Sequence, residues 1–276
     1  MAIRLTVLCE NSVGKPGRAV GEHGFACHIA TETGRYLFDT GQGIGIGRNA
    51  LELGIDLARL DGIILSHGHY DHAGGMVEVL SQCGAIDVFA HPGIFCDRYW
   101  RSDFEERYIG LPYRRPLLET LGARFRFSRN FGEIAPGLFL SGEIPRVTSF
   151  ERGDPHLVIP TDDGFAPDPF LDDYSLVIDT PKGLVLLLGC AHAGMVNIIE
   201  HVLAKSGRDD LYAVLGGTHL APANEEQYRG TLEALKRYKV QKIGVAHCTG
   251  LQRATQLSQE FSGRFFFASV GATLEI

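Results

Sequence analysis

Ser66-His67-Gly68-His69-Tyr70-Asp71-His72-Ala73-Gly74-Gly75 decides how this chain is read. It follows Gly62–Leu65, a short apolar run that reads as a strand, and leads into Ala73–Gln82, which reads as a helix. Three imidazoles and a carboxylate fall within six positions, from His67 to His72. Imidazole with carboxylate suits Zn, Fe, Mn or Ni, whereas Mg and Ca prefer all-oxygen sites. In a turn leaving a strand, His67 and His69 can point one way while Asp71 and His72 point another, offering ligands to two adjacent ions. The following helix N-terminus favours the anionic side chain of Asp71. A solvated, metal-free turn is the rival reading, and the density of ligand types argues against it.

Two ions need more ligands than this turn supplies, and further histidines recur at strand ends. His192 follows Gly183–Leu188, His219 follows Leu211–Leu215, and His247 follows Lys242–Ala246. Loops beyond the carboxyl ends of strands are where α/β sheets display functional groups. His192 and His247 read as ligands. His219 is open between a ligand and a group that hydrogen-bonds the ligands or the substrate. Asp71 and His219 are the candidate catalytic residues. Cys190 could coordinate or bridge ions, although a buried cysteine is more often inert packing. Asp39 ends the strand Arg35–Asp39 and is expected to hydrogen-bond the ligand loop from beneath. His91, at the end of Ile86–Ala90, is a candidate substrate contact. His23, His28, His156 and His201 receive no role, and His201 is expected to face solvent.

Strands open the chain (Arg4–Cys9, Phe25–Ala30, Arg35–Asp39), then a short helix over 48–57 and mixed elements follow; the second half alternates strand and helix. A hairpin is expected across Thr180-Pro181-Lys182, and a helix over Met195–Lys205 whose apolar residues share one face. Residues 92–172 read as irregular, with Tyr99, Trp100, Phe104, Tyr108 and Tyr113 interleaved with arginines. They are either an excursion packed on the body or a lid over substrate. The 276 residues are 45% apolar and 21% charged, which excludes a disordered or fibrous chain. A net charge of −7 weighs against nucleic-acid binding. Six cysteines form no C-x-x-C pair, so reduced thiols and a cytoplasmic location are expected. No apolar run approaches the ~18 residues of a membrane span. Met1–Glu10 lacks the pattern of a secretory signal. The glycines of Gly41–Gly47 fit no G-x-G-x-x-G register, and there is no P-loop, G-x-S-x-G elbow or H-E-x-x-H helix.

The stretch His67–Gly75 resembles the H-x-H-x-D-H signature of the metallo-β-lactamase superfamily, and Asp39-Thr40-Gly41 resembles the aspartate motif that precedes it there. Further segments extend the likeness: Leu8–Asn11, His91-Pro92, Ser141–Arg146, Gly189–Gly194, Gly216–Leu220 and His247–Gly250. Together they resemble the branch of 7,8-dihydropterin-6-methyl-4-(β-D-ribofuranosyl)aminobenzene 5′-phosphate synthase-like proteins. The resemblance implies an α/β (α+β) four-layer αββα sandwich, one domain over 1–276, with a dinuclear site at one edge. It implies two divalent ions, zinc first, with iron or manganese as alternatives. His67, His69 and His192 would hold one, and Asp71, His72 and His247 the other. Two departures stand out. Cys190 occupies the place of the usual bridging aspartate. The separate upstream histidine is missing, since no T-P-G-H-like segment occurs between 140 and 185, so His192 takes that part. Arg146 and Lys182 are the candidate anchors for a substrate phosphate. The implied activity is metal-dependent chemistry on a phosphorylated small molecule, here joining a pterin pyrophosphate to a ribosylaminobenzene phosphate. A hydrolase of phosphodiesters or lactones is one alternative. A non-catalytic metal-binding or redox-sensing protein using Cys190 and Cys248 is the other.

Overall fold

Leu184–Leu188 is apolar at every position because both faces of this strand are covered. Val185 and Leu187 face one core, while Leu184, Leu186 and Leu188 face another. The same alternation divides Leu37 from Phe38 and Ile63 from Ile64. Three large apolar cores follow among the described residues, one between two sheets and one beneath helices on each outer side. The result is a four-layer αββα sandwich.

The computed structural model describes residues 3–276. Met1 and Ala2, the start of the segment read above for a secretory signal, lie outside the described residues. In chain order come β1 (Arg4–Cys9), β2 (Ala26–Ala30), β3 (Arg35–Phe38), α1 (Ile46–Glu52), β4 (Gly62–Ile64), α2 (Tyr70–Ala73), α3 (Met76–Cys83) and β5 (Ile86–Ala90). Next are β6 (Tyr99–Arg101), β7 (Glu106–Tyr108), α4 (Arg115–Thr120), β8 (Ala123–Phe127), β9 (Gly132–Ala135), β10 (Leu138–Leu140), β11 (Leu157–Thr161) and β12 (Gly164–Pro167). The chain ends with β13 (Ser175–Ile178), β14 (Leu184–Leu188), α5 (Met195–Ser206), β15 (Leu211–Gly217), α6 (Glu225–Arg237), β16 (Lys242–Ala246), α7 (Leu251–Glu260), β17 (Phe265–Phe267) and β18 (Thr273–Glu275).

One sheet runs β18-β1-β2-β3-β4-β5-β8, the other β17-β16-β15-β14-β13-β10-β9. Strands β3, β4, β5 and β8 are parallel, as are β14 to β17, so their carboxyl ends gather their loops. The expected hairpin joins β13 to β14. Residues 92–172 are not irregular. They hold β8, β9 and β10 of the two large sheets, and a small separate sheet ordered β12-β11-β6-β7. These strands are only three to five residues long, too short to show a period in sequence. The first expected helix lies earlier, at Ile46–Glu52, and the one after the histidines divides at Gly74-Gly75. Strand β18 was not anticipated; it pairs antiparallel with β1. Among the described residues no helix is long and apolar enough to cross a membrane.

Candidate metal centre

The loops after β3 and β4 meet through one carboxylate. Asp39 accepts from the Ser66 amide through Oδ1 and from Ser66 Oγ through Oδ2, each at 2.7 Å. Its Oδ2 also stands 2.7 Å from His72 Nδ1. Ser66 Oγ gives its single proton to Asp39, so it accepts from His67 Nδ1 at 2.8 Å. His67, kept neutral by burial, therefore carries its proton on Nδ1 and presents a lone pair at Nε2, as metal-binding histidines do. Burial acts on His72 too, but the Asp39 carboxylate outweighs it and raises the pKa to about 9, so His72 would present its Nε2 lone pair on giving up a proton to a metal ion.

Those lone pairs converge with others. His67 Nε2 is 3.0 Å from His69 Nδ1, and both belong with His192 to one set whose ligand atoms lie within 4.8 Å of each other. Two nitrogens on one tetrahedral ion at about 2.0–2.1 Å stand roughly 3.3 Å apart. His192 is stacked on Phe170, centroids 4.1 Å apart. Asp71 Oδ2 lies 3.1 Å from His247 Nε2 and 3.2 Å from His23 Nε2. His247 Nδ1 stands 2.9 Å from Asn11 Oδ1, so its Nε2 is the ring atom turned to the Asp71 carboxylate, where a proton or a metal ion would bridge the two. Burial pushes His67, His69 and His192 well below the ordinary imidazole pKa, keeping them neutral. Burial opposes the charge on Asp71, but His23 and His247 hold its carboxyl well below the usual range. Buried polar atoms are nearly always paired. Yet His69 Nε2 and both ring nitrogens of His192 and His219 are buried without a protein partner. Neutral imidazoles beside an ionised carboxylate, several of them unpaired, fit divalent metal ions.

A second ring of residues holds these loops. Asp172 accepts from the Gly68 amide at 2.9 Å and binds Arg98, which also binds Asp168. Its neighbour Asp173 accepts from the Ala193 amide at 2.7 Å. Glu151 accepts from the Val196 and Asn197 amides at the start of α5. Glu10 accepts from the His247 amide. Among the described residues, six non-glycine residues have positive φ, and five of them surround this site: Asp39, Phe170, Ala191, His219 and His247. Such strained backbone persists only where its surroundings hold it, and it gathers at functional sites.

The expected residues separate into two groups. His67, His69, Asp71, His72, Cys190, His192, His219 and His247 come together, with Asp39 beneath them. The tight set around Asp71 pairs it with His23 and His247, while His72 Nε2 faces Cys190 Sγ at 3.1 Å. Arg146 reaches the site differently from expectation, donating to the His192 carbonyl at 2.9 Å. His91 and Lys182 are not brought to the cavity. His91 uses both ring nitrogens, accepting from the Gly93 amide and meeting Glu143. Lys182 precedes β14 at the end away from Gly189, above the Tyr212 ring. Five strand residues, roughly 16 Å, separate it from the cluster. His201 is half-buried and donates to the Ser141 carbonyl instead of facing solvent. His23, Asp154, Asp172, Asp173 and Asn11 were missed. The acidic pair Asp172-Asp173 directly before a strand was the available signal; His23 lies in a loop with none.

Above the cluster lies a cavity of about 410 Å³ lined by His69, Asp71, His192, His219 and His247, with Tyr70, Trp100 and Arg107 on its wall.

A four-layer sandwich with histidine loops gathered at one edge of its sheets is the metallo-β-lactamase fold, and residues 24–247 match the metallo-beta-lactamase superfamily: the chain belongs to it, as a metal-dependent class of enzyme. It is 33% identical over 275 residues to the 7,8-dihydropterin-6-methyl-4-(beta-D-ribofuranosyl)-aminobenzene-5′-phosphate synthase of Methanocaldococcus jannaschii, covering 95% of this chain and 93% of that one. An uncharacterized protein of the same organism is 30% identical over 274 residues, covering 99% and 100% of the two chains. The crystal structure of a metal-dependent hydrolase of the beta-lactamase superfamily superposes with a TM-score of 0.84 at 27% identity, over 99% of each chain.

Proposed function

We propose that this protein is a two-metal enzyme acting on a phosphorylated small molecule, and that it joins a pterin to ribofuranosylaminobenzene 5′-phosphate with loss of pyrophosphate. One observation carries the reading: the imidazole and carboxylate cluster floors a cavity whose wall presents Trp100 and Arg107 side by side. The full-length likeness to a synthase of that name supports the substrate class. His67, His69 and His192 would hold one ion and Asp71, His72 and His247 the other, with zinc first and iron or manganese next. When bound, the ions would supply Lewis-acid polarisation of a phosphoryl oxygen and neutralise charge on the departing group.

The chain's own residues do the rest. Trp100 and Arg107 face each other across the β6–β7 ladder, so their side chains share one face of the small sheet. The indole would stack on a flat ring, and the guanidinium would take a phosphate. In this reading the small sheet is the lid expected within 92–172. It excludes water from the floor of the cavity. His219 reaches the cavity with Asp154 4.0 Å from its Nε2, so it is placed to hold or move a proton at a ring nitrogen. Arg146 positions His192 instead of anchoring phosphate.

Zinc-loaded protein given the pterin pyrophosphate and the ribosylaminobenzene phosphate should release coupled product and pyrophosphate. His69→Ala should lose turnover together with about one metal equivalent. The structural likeness to a metal-dependent hydrolase favours a second reading, hydrolysis of a phosphodiester. Cleavage of a generic phosphodiester with no coupling would select it, and a chain that binds no metal would end both.

A further inference from the structure

Four of the six cysteines have uses outside the site or none: Cys9 and Cys27 pack in apolar cores, Cys83 lies near α3's end, and Cys96 is exposed. Cys190 and Cys248 belong to no apolar cluster of the described residues, and both line the cavity above the histidines. They arrive from the loops after β14 and β16, strands separated by β15. Cys190 Sγ is 3.1 Å from His72 Nε2. It is the shared member of three sets whose ligand atoms lie within 4.8 Å of one another: with His67 and His72, with His192 and His219, and with His247 and Cys248. Cys248 Sγ accepts from the His219 amide at 3.2 Å, which fixes its sulfur toward that group. The unpaired, buried ring nitrogens of His192 lie in the same space.

We propose that Cys190 and Cys248 are both metal ligands, with the Cys190 sulfur shared between the two ion positions, and that the centre selects thiophilic ions. This inference rests on the two-metal reading and deepens it. A sulfur that packs inertly has carbon neighbours, as Cys27 does; Cys190 has ring nitrogens of His67, His72, His192, His219 and His247 within 4.8 Å. Each thiol would release its proton to solvent on binding, and the two thiolates would offset much of the charge of two divalent ions. Soft sulfur ligands favour zinc and related ions over manganese or magnesium, which take oxygen. His247 and the neighbouring Cys248 would then grip from adjacent positions in one strained loop, where His247 has φ 50°.

The test loads reduced, metal-free, full-length protein with Co²⁺. Two equivalents should bind with a near-ultraviolet thiolate-to-cobalt charge-transfer band. Cys248→Ser should keep the stoichiometry and lose about a third of the band, one of three sulfur–cobalt bonds, and Cys190→Ser with Cys248→Ser should lose all of it. Cys96→Ser should leave it unchanged. X-ray absorption of the zinc-loaded wild type guards against variants that fail to fold; it should show sulfur at about 2.3 Å beside nitrogen or oxygen at about 2.0–2.2 Å. Two equivalents of cobalt with neither band nor sulfur shell would overturn the thiolate assignment and leave the two-metal reading standing. No bound cobalt would overturn both.

Discussion

Gly189 carries no side chain because the ligand loops touch there: a Cβ would stand 2.2 Å from Ser66 Oγ. Ser66 is already committed to Asp39 and His67, so it has little freedom to move aside. Gly189→Ala should therefore push the loops of His67 and His192 apart. Metal titration should show affinity falling about tenfold or more, as misplaced supporting groups typically cause. Wild-type affinity in that variant would reject the close-contact argument. His28 illustrates a different residue-scale effect. Burial, with help from the Arg35 charge, lowers its pKa to about 4. The unfolded chain takes up this proton near pH 6.5, while the folded chain resists it until about pH 4. Stability is therefore complete above the unfolded pKa and drains away as pH falls. The share of this one histidine should be about 2 kcal/mol between pH 7.5 and pH 5. Urea unfolding at both pH values should show His28→Gln losing about 2 kcal/mol less than the wild type over this window, and an equal loss in both proteins would reject the His28 contribution.

Helix α5 begins three residues after His192, and its first turn depends on a distant side chain. No residue at its own N-cap bonds the exposed amides; Gly194 stands there. Glu151 does so instead, through Oε1 to Val196 and Oε2 to Asn197, each at 2.8 Å. The carboxylate also sits at the positive end of the helix, where anions are favoured. Glu151→Ala should cost about 1–2 kcal/mol by thermal or urea unfolding and weaken metal binding at the His67, His69 and His192 set. Stability lost with unchanged metal affinity would separate the helix from the site. The extent of α5 was legible, Met195–Lys205 against the observed Met195–Ser206, since its apolar face is periodic. Its cap was not, because Glu151 is more than forty positions upstream.

At the scale of the whole molecule, Arg98 ties the small sheet to the ligand turn. Its guanidinium binds Asp168 and Asp172, each at 2.6 Å, and all three are buried. Asp172 in turn holds the Gly68 amide, so this one ion cluster joins the small sheet's approach to the ligand turn between His67 and His69. Removing one partner from a buried ion pair leaves an uncompensated charge. Arg98→Met should cost about 3–5 kcal/mol in urea unfolding, with metal binding weakened as the turn loosens. A cost below about 1 kcal/mol would show that the carboxylates find other partners or protons.

What the sequence determined by itself is the local chemistry and the layers. The cluster from His67 to His72 is contiguous, its strand and helix neighbours follow apolar periodicity, and His192, His219 and His247 announce themselves at strand ends. The all-apolar Leu184–Leu188 likewise declares a strand covered on both faces. The tertiary structure alone decided which groups share a pocket. It brought in His23, Asp154, Asp172 and Asp173, turned Arg146 to a loop carbonyl, and left His91 and Lys182 outside. Periodicity records which face of an element is apolar, a property of neighbouring residues. The meeting of loops depends on how two sheets stack and how their ends align, and no local pattern carries that distance.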